Sequence, residues 1–292
     1  MIEIRAGDLT AGVIPEIGGS LAYFRKGSAN LMRPLGDAER ARGDVLGVAM
    51  FPMIPYANRI ADNAFDFDGR SYHFAPNNPP EKFNVHGTGW QLPWRAEKLA
   101  EDEAVLTLVH IVPTEPYSYA ARQQFKLTAD RLSVITEVEN RGEWRMPFGF
   151  GQHPWFHRDP DVTVAFKAET FWLEGWDNTV SERIKVPPEL SFYPKRGLPP
   201  ARRNNCYGGW DGLLEITWRS RGVRLRVEAD PLFRNLMFYA DPARPVFCIE
   251  PQTNVACAFN LAGALNDDDL GIIVLAPGEK ASGTLAFVPS VV

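Results

Sequence analysis

Glycine and proline, 24 of each, are spread along the whole of this 292-residue chain, so no stretch keeps a 3.6-residue period for long before meeting a residue that ends or kinks a helix. What stands between these breakers is short and alternates in polarity. Phe65-Asp66-Phe67 and Ser71-Tyr72-His73-Phe74 flank Asp68-Gly69, a pair suited to the tight turn of a hairpin. Phe125 and Leu127, then Leu132, Val134 and Val138, mark two strands around a turn near Ala129-Asp130. Ile216 and Trp218, then Val223, Leu225 and Val227, do the same around Ser220-Arg221-Gly222. Residues 104–112, 162–166, 246–250 and 283–288 read as further strands. Many short strands between frequent turns, without alternating helices, predict an all-β chain folded as an antiparallel sandwich or barrel. The proline-rich residues 187–205 predict a long surface loop. The strand pattern is alike on both sides of it, so residues 1–292 are expected to form a single domain.

Composition narrows function by exclusion. The net charge of −5, with both signs interspersed, argues against nonspecific nucleic-acid binding. There is no phosphate-binding loop of the GxxxxGK or GxGxxG kind. Cys206, Cys248 and Cys257 are odd in number and widely spaced, giving neither a disulfide framework nor a zinc signature, and a reduced, cytoplasmic chain is expected. No secretory signal is expected at Met1–Asp8, and no run approaches the roughly 18 apolar residues that span a bilayer, so no membrane partner is expected. Aromatic residues make up 12% of the chain, and serve either a ring-packed core or a pocket whose rings stack on a sugar.

Three segments carry chemistry. Val246-Phe247-Cys248-Ile249 is apolar and ends in Glu250-Pro251, which reads as a buried strand delivering one acid to its own end. A carboxylate there must be paired, hydrogen-bonded or open to a cleft, and a paired one makes a good general base. Asn84-Val85-His86-Gly87 and Gly151-Gln152-His153-Pro154-Trp155-Phe156 place histidines in similar settings. Together they suggest an acid–base enzyme without a metal. His86, His153 and Glu250 could form a zinc ligand set, but the short-spaced pair that usually nucleates one is missing. His73, His110 and His157 lack such context and are expected to be structural or exposed.

These segments, with Ala11–Leu21, whose Gly18-Gly19 marks a turn, and Pro55-Tyr56-Ala57-Asn58-Arg59, follow one another in the order found in the aldose 1-epimerase (galactose mutarotase) family, which the chain resembles over nearly its whole length. The resemblance implies a large antiparallel β-sandwich, no cofactor and a small-molecule sugar as partner; the exposed edges of such a sandwich are compatible with a monomer or a homodimer. It implies Glu250 as catalytic base and His153 as catalytic acid, with His86, Asn58 and Arg59 around the sugar. The family usually grips hydroxyls with an aspartate where this chain has Asn204, an amide without charge. Unperturbed, Glu near 4.3 and His near 6.5 would supply a carboxylate and an imidazolium, and a nearby carboxylate would favour keeping His153 protonated. Trp155, Phe156 or Trp210 is expected to cover the sugar's C–H face. Two other functions fit the same residues: a sugar-phosphate 1-epimerase using Arg202, Arg203 or Lys195, and a sugar-binding module without turnover. Binding alone does not require the acid–base pair.

Overall fold

The alternation read from the sequence becomes two large antiparallel sheets, one of eleven strands and one of nine. The computed structural model describes residues 1–292, the side chain of Asp267 excepted. In the nine-stranded sheet, Tyr119–Leu127 pairs with Leu132–Asn140, and side chains along both strands alternate between buried and more open. A period of two gives each strand one face for the core and one for water. Leu213–Trp218 and Val223–Ala229 pair in the same sheet, with Ile216 opposite Leu225. The other expected strands occur as Glu103–His110, Val162–Phe166, Val246–Gln252 and Lys280–Val291. The Asp68-Gly69 hairpin also forms. Phe67 pairs with Arg70, and both turn residues take positive φ, 48° and 72°, as a two-residue turn between twisted strands requires.

Residues 187–205 depart from the expectation of a plain surface loop. Phe192 is buried and stacks on Phe166, while Arg203–Gly208 is a strand of the eleven-stranded sheet. The prolines masked both, because they read as turn chemistry while the ring between them supplied core packing. Most of the aromatic excess is core as well: Phe125, Phe156, Phe238 and Phe247 are fully buried between the sheets. Each such side chain contributes roughly 1.5–3 kcal/mol by leaving water.

The feature that matters for function is a run of adjacent strands in the larger sheet: Met50–Met53, Gly151–His157, Val246–Gln252, Asn235–Ala240 and Arg203–Gly208. Phe51 pairs with His153, and Met237 pairs with Glu250. Gly151 pairs with Gln252 and Trp155 with Cys248, which sets His153 opposite Glu250. Phe51, His153, Glu250 and Met237 therefore form one row across the sheet. Their neighbours point the other way: Gln152 Nε2 donates to Gln123 Oε1 at 2.9 Å and to Thr136 Oγ1 at 3.1 Å, both in the second sheet. Among the described residues, no helix is long and apolar enough to cross a membrane.

Candidate active site

The row of side chains is the floor of a cavity of about 410 Å³ on the outer face of the larger sheet. Glu250 Oε1 lies 3.1 Å from His153 Nε2. The His153 ring stacks on Phe51, centroids 4.4 Å apart and planes 23° from parallel, and Trp155 flanks it at 5.0 Å. The imidazole is thus clamped between two rings with its Nε2 edge on the carboxyl group. The tail of the glutamate segment locks the surroundings. Thr253 Oγ1 accepts from the Phe150 amide at 3.0 Å, and Asn254 Oδ1 accepts from the Ala57 amide at 3.0 Å while its Nδ2 donates to the Ala57 carbonyl at 2.9 Å. The second pair of bonds ties the Asn58-Arg59 loop to the strand that carries Glu250.

Asn58 and His86 form the wall above, both in left-handed backbone with φ of 62° and 59°. The His86 amide donates to the Asn58 carbonyl at 2.8 Å, and the Asn58 amide donates to His86 Nδ1 at 3.0 Å. A ring nitrogen that accepts a backbone N–H carries no proton, so in neutral His86 the proton sits on Nε2 and can be donated to a ligand. Gly87 secures this turn: its φ is +63°, and a Cβ there would stand 2.3 Å from Pro55 Cδ. Arg59 gives Nε to Glu81 at 3.0 Å and Nη2 to the same oxygen at 2.9 Å. Most of its fork is therefore spent on Glu81, a partner with no sequence signal beyond its place in a proline loop.

Asn204 lines the cavity, and its Nδ2 faces Glu174 Oε1 at 3.4 Å and Asn178 Oδ1 at 3.3 Å. Two acceptors on one side give a local reason for an amide here. An aspartate would set a second carboxylate against Glu174. Of the three rings expected to cover a sugar, only Trp155 lines the cavity. Phe156 faces the core against Phe247, and Trp210 is buried with its Nε1 donating to the Leu213 carbonyl. Alternation along the strand separates Trp155 from Phe156. Of the expected phosphate-binding group, Arg202 lines the cavity but is paired with Glu174 at 3.1 Å, while Arg203 and Lys195 lie outside it. His110 bonds Glu115 at 2.8 Å, and His73 is exposed.

Burial sets the charge state. It pushes Glu250 up to about 8, against a smaller opposing pull from Arg59, and drives His153 down to about 3. Burial also holds His86 well below its usual range, with His153 and Arg59 adding to the effect. The imidazolium expected from unperturbed values thus meets a stronger desolvation cost, which near neutral pH favours one proton on the His153–Glu250 pair and no net charge. The donor atoms of His86, His153 and Glu250 lie within 4.8 Å of one another, a grouping that could ligate a divalent ion. Two of those atoms, His153 Nε2 and Glu250 Oε1, lie only 3.1 Å apart.

The sequence profile of the aldose 1-epimerase family matches residues 1–288. The uncharacterized Escherichia coli K12 protein YphB is 30% identical over 282 residues, covering 94% of this chain and 93% of that one. A solved structure of a provisionally assigned aldose 1-epimerase from Escherichia coli K12 superposes with a TM-score of 0.91 at 29% identity, covering 99% of this chain and 98% of that one. A galactose mutarotase-like protein from Clostridium acetobutylicum shares the fold, with a TM-score of 0.86 at 19% identity over 99% and 95% of the two chains.

Proposed function

The chain belongs to the aldose 1-epimerase family, and on that premise we propose that it interconverts the α and β anomers of a hexose or related aldose, with Glu250 as base and His153 as acid. The observation that carries the reading is the 3.1 Å contact between His153 Nε2 and Glu250 Oε1 on the floor of a sugar-sized cavity.

The chemistry follows from where one proton can sit. When a closed sugar binds, its C1 hydroxyl hydrogen-bonds to Glu250 and its ring oxygen accepts from His153, so the shared proton moves to the imidazole. Glu250 then takes the C1 hydroxyl proton, electrons collapse to form the carbonyl, the bond from C1 to the ring oxygen breaks, and His153 Nε2 delivers its proton to that oxygen. The result is an open aldehyde with Glu250 protonated and His153 neutral, the same distribution that burial favours. Rotation about C1–C2 presents the other carbonyl face. His153 takes the hydroxyl proton back as the ring closes, and Glu250 protonates the new C1 oxygen. Glu250 gains a proton as His153 gives one up, so the pair holds one proton with the closed sugar and with the open aldehyde, and no net charge is created in the site. That matters because an isolated buried charge is far more costly than a matched pair. His86 donates through Nε2 to an adjacent oxygen, Asn58 and Arg59 hold the wall, and the steps as written need no cofactor.

Polarimetry on freshly dissolved α-glucose and α-galactose tests this. Wild-type protein is expected to accelerate the approach to the equilibrium rotation, and Glu250→Gln to lose roughly 10²- to 10⁴-fold. Full acceleration by the variant would remove Glu250 from the mechanism, and none by wild type on neutral or charged sugars would remove the reaction.

A further inference from the structure

Two arginines of the cavity lack a counter-ion. Arg59 is matched by Glu81 and Arg202 by Glu174, while the His153–Glu250 pair is neutral as a unit. That leaves Arg33 and Arg244, which also line the cavity. Arg33 lies over the Trp155 ring at 4.7 Å. Its Nη2 donates to the carbonyls of Leu46 and Val48, and its buried Nε finds no acceptor. Arg244 is exposed and stands 5.9 Å from the Tyr239 ring, which meets Trp155 edge-on at 6.3 Å. Burial holds Arg33 below its usual value, Asp44 and Glu39 oppose this, and Arg244 adds a smaller push in the same direction as burial. Among the described residues neither forms an ion pair. In a chain of net charge −5, two guanidiniums without an ion-pair partner on adjoining rings of one cavity make a local positive field, which the more distant Asp44 and Glu39 temper at Arg33.

Their position selects a part of the sugar. Trp155 flanks His153, and Arg33 and Arg59 both add to the burial that depresses His153 basicity, but Arg59 is already matched by Glu81. If His153 serves the ring oxygen, the sugar atom bonded to that oxygen on the side away from C1 is C5, which bears the exocyclic carbon. A group on that carbon falls beside His153, toward Trp155 and Arg33. We propose that Arg33 and Arg244 form an anion subsite, and that the aldose taken by this enzyme carries an oxyanion, a carboxylate or a phosphate, on its exocyclic carbon. The planar guanidinium fork fits either group. The assignment rests on the acid–base reading above, because it takes His153 as the partner of the ring oxygen.

The test compares glucuronate, glucose 6-phosphate and glucose with wild type and Arg244→Gln, measuring anomer exchange by NMR and binding by calorimetry. Arg244 is exposed, so its loss leaves the core intact. Wild type is expected to favour one anionic sugar over glucose by roughly tenfold to a hundredfold in kcat/KM, the worth of a charge-assisted contact. Arg244→Gln should erase most of that ratio, chiefly through KM, because the anion is held equally before and during ring opening. Preference for glucuronate identifies a carboxylate, and preference for glucose 6-phosphate a phosphate. Glucose processed as well as both anionic sugars, or a ratio unchanged in Arg244→Gln, overturns the subsite and leaves the epimerase reading standing. Tighter binding of an anionic sugar with no exchange of any substrate overturns the epimerase reading instead, and neither exchange nor anion preference overturns both.

Discussion

Replacing Glu250 by Gln should uncouple stability from pH in a way that reports the charge state of the site. The folded protein holds the Glu250 proton up to about 8, whereas the unfolded chain releases it near an ordinary value of about 4.3. Between those values the folded state binds more protons than the unfolded one, so wild-type stability falls as pH rises through the window. Burying this carboxyl therefore costs up to about 5 kcal/mol above pH 8, and almost nothing below pH 4. His153 works in the opposite sense: driven down to about 3, it adds stability as pH rises from there to its unfolded value, and that contribution is common to both proteins. Gln cannot ionise, so the stability gap between variant and wild type isolates Glu250. Thermal unfolding at pH 5, 6, 7 and 8 is the assay. The gap should move in the variant's favour by roughly 3–4 kcal/mol from pH 5 to pH 8, which at roughly 2 °C per kcal/mol for a chain of this size is about 6–8 °C in Tm. A gap constant across this range, or one that moves in favour of wild type, would show that Glu250 is an ordinary ionised carboxylate and would undo the neutral-pair argument.

Activity should follow the same proton. With the pair singly protonated between about 3 and about 8, kcat/KM is expected to stay level from pH 5 to 7 and decline above 8; a fall beginning near 6.5 would mean His153 titrates as an unperturbed imidazole. His153→Asn is expected to lower kcat by roughly 10²- to 10⁴-fold with sugar binding retained, which single-turnover exchange and calorimetry would separate; near-full activity would assign the acid elsewhere. Asn204→Asp puts a carboxylate where Nδ2 now faces Glu174 at 3.4 Å, so Tm should drop by an amount equivalent to about 1 kcal/mol above pH 6 and recover in acid. An unchanged Tm with a lower KM would mean the side chain turns to the sugar instead.

The strands were legible wherever a hydrophobic alternation met a turn residue, as at Asp68-Gly69 or in Tyr119–Asn140. The helix Asp37–Arg42 was not, because six residues without a buried side chain carry no period to detect. Glu250 and His153 stood out as polar groups set in apolar, glycine- and proline-framed runs. Their contact did not, since it depends on the register between two strands far apart in the chain. Phe51 read as one more core ring, and Glu81 as a loop acid. Asn254 was visible only as the tail of the glutamate segment, although it ties that strand to the Asn58-Arg59 loop. Arg33 and Arg244 are single cations in a turn-rich context, and nothing local marks them as unmatched. The charge state was hidden for another reason. Unperturbed pKa values belong to groups in water, and these two are buried.

A β-strand cannot slip by one residue without turning over every side chain it carries. Phe51, His153, Glu250 and Met237 share a face because four strands hold their alignment, so a single-residue insertion in Val246–Gln252 would swing Glu250 into the hydrophobic interior. Arg33 and Arg244 stand outside regular strands, on connections, and so do Asn58 and His86, whose turns are locked to each other by two hydrogen bonds. In a molecule built this way a one-residue slip in the floor removes the reaction, whereas a change on the Arg33 or Arg244 connection can alter the choice of sugar without moving the acid and base.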